Sequence, residues 1–178
     1  VCGVLFEAGD KQSETLLKVG NEKAEVSHSD NPICFSDVYF RVGGANYKGK
    51  VKNCVTINSN DVIGDNFWVW RADHGDNVGW DMNTAPNGIV INGDNVTMYG
   101  LFVEHFQEYQ TIWNGNGGKL YFYQSEMPYD APNQKYYMSH NGKVKGYASF
   151  KIGDEVNDFY GCGLGIYCYN RDANIEIF

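Results

Sequence analysis

The chain has 178 residues, a formal net charge of −8 and 43% apolar residues, and its 13 Tyr, ten Phe and four Trp stand against only four Pro. That length buries one sizeable core, and the aromatic, Gly-rich make-up is that of a folded, turn-rich protein. Net acidity without a Lys/Arg run argues against nucleic acid or an anionic membrane as partner, and no apolar run approaches the ~20 residues that span a bilayer.

Taken in order, the predicted elements are short β-type runs. The chain opens "VCGVLFEAGD", with no initiator Met or leader, and a strand is expected over 3–9. That start reads as a processed chain or as part of a longer polypeptide. Strands follow over 14–20 (ETLLKVG), 32–44 (PICFSDVYFRVGG), 62–70 (VIGDNFWVW) and 96–104 (VTMYGLFVE). Between the last two lies "RADHGDNVGWDMNTAPNG" (71–88), a loop by its Gly, Asn and Asp content. "VEHFQEYQTIW" comes closest to a helical period but is too short. A strand precedes "MPYD", a second long excursion covers 128–146, and strands are expected over 146–153 and 165–178. No linker or second domain interrupts 1–178, which reads as a single domain.

Three segments share one pattern: "INSND" at Ile57, "INGDN" at Ile91 and "WNGNG" at Trp113. The first two lie 34 residues apart and the last two 22. A repeat near 22 built of short apolar runs and Asn/Gly turns, without a Leu framework, predicts an all-β fold. It is a single-stranded right-handed parallel β-helix with long loops off some coils. The 34-residue step then carries the 71–88 loop. Asn58, Asn92 and Asn114 share a repeat position, which predicts an asparagine ladder in preference to a Ca²⁺ site. Trp113 aligns with Ile57 and Ile91, a core position. An open β-helix end exposes unpaired strands, so a preceding lobe or another subunit is expected to cover the N-terminal end.

The five cysteines leave at least one unpaired, with Cys162 and Cys168 close enough in sequence for a local pair. No CxxC occurs, so a zinc site is not expected, and no other metal or cofactor is expected. Asn95-Val96-Thr97 is a glycosylation sequon, and the Lys-poor, Asn/Gly-rich flavour points to an extracellular, secreted protein.

Alternation sends Phe67, Val69, Leu101, Val103, Tyr123 and Ser125 inward. Trp68, Trp70, Phe102, Glu104 and Glu126 then face outward, with Trp70, Glu104 and Glu126 in one column. Adjacent strands lie about 4.8 Å apart, so the two carboxyls repel and one holds its proton more tightly. Such a pair can act as acid and base or nucleophile on a glycosidic bond. Asp73, His74 and His105 are expected to orient the pair or grip hydroxyls. Trp70, Trp80 and Tyr129 are expected to stack on sugar rings, and Arg71 and Asp130 to line the same face. A solvated glutamate column is the plainer alternative.

The motifs "DVYFRVGGA", "NFWVWRADHG", "GLFVEHFQEYQ", "WNGNGG", "EMPYDAPNQ" and "GLGIYCY", spread over about 32–170, resemble secreted bacterial and fungal pectate-lyase-like β-helix proteins. Those are often labelled by an attached coagulation factor 5/8 type domain. The set is similar to two-lobed β-helix exo-β-1,3-glucanases, which implies that this chain is the C-terminal lobe of a longer protein. The expected function is that of a glycoside hydrolase on a neutral polysaccharide such as β-glucan. The alternatives are a non-catalytic structural or adhesive module and, third, a polysaccharide lyase, against which the scarcity of basic residues near the column counts.

Overall fold

Strand after strand lies parallel to the one before it in the coil below. A computed structural model describes residues 1–22, 25–45 and 47–177. One sheet holds β1 (Cys2–Glu7), β3 (Ile33–Val42), β5 (Val62–Arg71), β7 (Thr97–Glu104), β9 (Gly118–Glu126) and β13 (Phe159–Tyr167), stacked in that order. The other holds β2 (Ser13–Val19), β4 (Val51–Ile57), β6 (Asn87–Ile91), β8 (Thr111–Trp113) and β12 (Phe150–Ile152). The chain alternates between the sheets, so each pair of strands is one coil. This is the expected parallel β-helix, and no α-helix occurs among the described residues.

Equivalent side chains therefore stack. Val38, Phe67, Leu101 and Tyr123 form one inward column and Phe40, Val69, Val103 and Ser125 the next, all at most 1% exposed. From the opposite sheet come Ile57, Ile91 and Trp113, also in register and buried. Each large apolar side chain so buried contributes roughly 1.5–3 kcal/mol before ordering entropy is subtracted. The ladder forms as expected: Asn114 Nδ2 donates to Asn92 Oδ1 and Asn92 Nδ2 to Asn58 Oδ1, both at 2.8 Å. The turns after these asparagines stack backbone on backbone. A Cβ at Gly93 would overlap the Ser59 carbonyl, and one at Gly115 the Gly93 carbonyl.

The strands of the longer sheet are not straight. Each bends at one residue in the left-handed region: Gly3, Asp37, Asn66, Gly100, Phe122 and Gly163, with φ between 53° and 71°. Ladder pairing skips these positions in every coil. The bend turns the outer surface into two facets, and the second, from residue 67 to 71 and its equivalents, carries the outward column of interest.

Long excursions leave the coils after β5 and after β9. Residues 72–86 separate β5 from β6, and the stretch after β9 holds a 3₁₀ turn (Gln134–Tyr136) and an antiparallel pair, β10 (Met138–Ser139) with β11 (Val144–Lys145). The 146–153 run is strand only over its last part. The 165–178 run begins earlier than expected, as β13, and ends at Tyr167. Beyond it the chain folds back: Glu176 N–H donates to Gln134 Oε1 at 2.8 Å, and Ile175 joins Met127, Ala131 and Tyr137 in a second small core. All five cysteines are free, so the local Cys162–Cys168 pair does not form.

Candidate active site

β7 and β9 end on the two glutamates, and Glu104 and Glu126 are register partners on adjacent strands. The outward column reads Glu7, Arg41, Trp70, Glu104, Glu126, Tyr167 from coil to coil. Each carboxylate is tethered. Glu104 Oε2 accepts from Trp68 Nε1 at 2.8 Å. Glu126 Oε1 accepts from Gln124 Nε2 at 3.1 Å and its Oε2 from the Tyr129 hydroxyl. His105 follows in a left-handed conformation, φ 66°, which turns its ring inward. Its backbone N–H donates to Glu126 O at 2.8 Å, and Nδ1 lies 3.2 Å from the Met127 carbonyl. A carbonyl only accepts, so Nδ1 carries the proton. Nε2 then faces Asp73 Oδ1 at 3.6 Å and Glu126 Oε2 at 3.8 Å.

This crowding of acids in a half-buried setting sorts their protonation. Burial pushes Glu104 above the usual carboxylate range; the Trp68 hydrogen bond opposes this, and the nearby Glu126 and Asp73 charges add to it. For Asp73 burial acts upward too, but the His105 ring and the hydrogen bond with His74 outweigh it and hold the group below its usual value. Burial drives His105 down, against the pull of Asp73, so the ring is neutral near pH 7. Tyr129 is driven up by burial and then by its bond to Glu126, so it stays a hydroxyl donor.

Aromatic rings flank the pair. Trp68 and Trp70 stack at 5.1 Å, and His74 packs on Trp70 at the same distance. Together with Leu5, Tyr39 and Arg41 the two indoles line a groove of about 550 Å³. On the opposite side Tyr129 meets Tyr167 and Tyr169 edge-on. Among the described residues no group of three or more His, Cys, Asp or Glu is arranged to hold a metal ion. The arrangement can exchange protons between two carboxyls and a neutral ring-shaped ligand stacked on indole.

A family profile described as the LAM55 pectate lyase-like domain matches residues 1–126. The chain belongs to that family. An exo-beta-1,3-glucanase of Streptomyces sp. (strain SirexAA-E / ActE) is 49% identical over 169 residues, which are 95% of this chain and 27% of that protein. The structure of sacteLam55A from Streptomyces sp. SirexAA-E superposes with a TM-score of 0.92 at 48% identity, over 96% of this chain and 31% of its own. A glutamate-to-alanine variant of the same protein, in complex with glucose, gives 0.92 at 47% identity over 96% and 30%. This LAM55 chain therefore spans about a third of the length of the relatives it matches. The expected likeness to β-helix glucanases holds.

Within the LAM55 fold the expected residues divide. Glu104, Glu126, Asp73, His105, Tyr129, Trp70 and His74 come together as described. Arg71 and Asp130 were expected on the open face, and the structure corrects this: Arg71 is fully buried and Asp130 nearly so. Arg71 Nη1 and Nη2 each donate to Asp130 at 2.8 Å, Nε donates to Asn83 O at 2.8 Å, and further donations reach His105 O and Gly79 O. Position 71 alternates inward, and a guanidinium there needs a carboxylate and carbonyls around it. Trp80 departs from its expected role too. It is half-buried, lies under the Arg71 guanidinium at 5.7 Å and meets Tyr137 edge-on at 6.3 Å, which makes it a support of the clasp. Arg171, which no sequence signal tied to this place, donates to Asp73 O at 3.1 Å from a segment 98 residues away. Gln124, the i, i+2 neighbour of Glu126 on the same strand face, adds a contact to that glutamate.

Proposed function

We propose that the chain is one lobe of a secreted glycoside hydrolase that trims neutral β-1,3-glucan, with Glu104 and Glu126 as its catalytic carboxyls. The register pairing of the two glutamates carries the reading. Two carboxyls on neighbouring strands, one with a raised proton affinity, supply the acid and the base or nucleophile that glycosidic cleavage requires. The Trp68–Trp70 stack offers a ring face beside them. The glucanase name of a relative at 49% identity supports the substrate class. The glucose bound to a variant of a close structural neighbour supports the sugar. Asp73, His105 and Tyr129 orient the pair, and a further lobe faces the groove.

Glu104→Gln and Glu126→Gln, made separately in the intact polypeptide, test this by reducing-sugar release from a β-1,3-glucan. Each variant should lose at least about a hundredfold in rate. Hydrolysis at the wild-type rate by either variant rejects the pair. An aryl glucoside whose leaving group needs no protonation identifies the acid, because only that variant regains activity on it.

A further inference from the structure

The column of bends in the longer sheet contains one discordant residue. Gly3, Gly100 and Gly163 take φ > 0 without a Cβ penalty, and Asp37 and Asn66 are side chains that tolerate it. Phe122, at φ 63°, does neither. Within this chain burial gives little compensation, because Phe122 is 60% exposed. A bulky side chain held in a costly conformation and left exposed on this chain is the kind of outlier that points to function.

The surroundings name the function. The Phe122 ring meets Phe102 edge-on, with centroids 5.7 Å apart. Phe102 lies two residues before Glu104 on the same face of β7, and Phe122 four residues before Glu126 on β9. At about 3.3 Å per residue the two rings form a ledge leading away from the carboxyl pair along the strands. The column through Phe102 reads Trp68, Phe102, Gln124, Gly165 and carries no charge. An uncharged aromatic ledge continuous with the pair suits the apolar face of a neutral sugar.

We propose that Phe122, braced by Phe102, is a binding platform for a glucosyl unit of the substrate chain beyond the bond that is cut. This rests on the β-glucan reading above and adds a subsite to it. The fold tolerates the strain because the bend is required at this position in every coil, and the ring is retained because it holds the glucan.

Phe122→Gly is the test, since glycine occupies the same place in neighbouring coils and the variant keeps the bend. In the intact polypeptide, kcat/KM is measured on β-1,3-gluco-oligosaccharides of rising length and on an aryl glucoside. The expected result is a loss on the order of tenfold for the long substrates, none for the aryl glucoside, and an unchanged or higher melting temperature. Equal losses on all substrates, no loss on any, or a lower melting temperature with unaltered chain-length dependence overturns the proposal. Retardation of the protein in gels containing laminarin, against gels containing dextran, reads binding without hydrolysis. Weaker retardation of Phe122→Gly by laminarin alone supports the platform even if the glutamate variants stay active, and equal retardation of both proteins rejects it.

Discussion

Glu104 is held by the fold in an arrangement that disfavours its charge. Its proton is bound more tightly in the folded chain than in the unfolded one, so its contribution to stability is complete below the ordinary value of 4.5 and is lost as pH rises through the raised value. Glutamine cannot ionise. Glu104→Gln should therefore melt with the wild type near about pH 4 and above it at about pH 7–8, a difference that thermal unfolding across pH measures directly. Lost activity with gained stability would be the signature of the catalytic role proposed for Glu104. Arg71 behaves in the opposite way. Arg71→Leu leaves Asp130 buried without a partner and should cost about 3–5 kcal/mol in denaturant unfolding, while Arg71→Leu with Asp130→Leu should recover much of it. The sequence placed Arg71 next to the right residues and still misassigned it. Its partner lies 59 positions away, and nothing local distinguishes an inward arginine that has found a carboxylate from an outward one waiting for a ligand.

Elements were read most securely where the repeat was strict. The steps of 34 and 22 residues recur as the separations of the ladder asparagines and as the strand registers that join Trp70 to Glu104 and Glu104 to Glu126. The buried Trp113 follows from the same alignment. The bend column escaped notice because its members, Gly, Asp, Asn and Phe, share a backbone conformation and not a chemistry. β12 was blurred for a different reason: it pairs with β8 only after the long excursion, so its partner residues fall outside any fixed period. The stacked turns set a limit on side-chain size that the sequence alone signalled merely as "NG". Gly115→Ala forces its methyl against the Gly93 carbonyl, and we expect a loss of about 1–3 kcal/mol or more in chemical denaturation, larger than an exposed-turn glycine would show.

At the scale of the whole molecule, the coils and the excursions do different work. The coils hold Glu104 and Glu126 by main-chain pairing, whereas the loops after β5 and β9 deliver Asp73 and Tyr129, and the Arg71 clasp ties those loops to each other. The spacing of the two strands under the glutamates therefore depends on the hydrogen-bond mesh of the polypeptide, while Trp68, Gln124 and Tyr129 set where the carboxylates themselves lie. Lineages of this architecture are free to lengthen, trim or replace the excursions, and so to change what reaches the groove, while the strand spacing beneath the two glutamates stays as constant as the pitch of the stack.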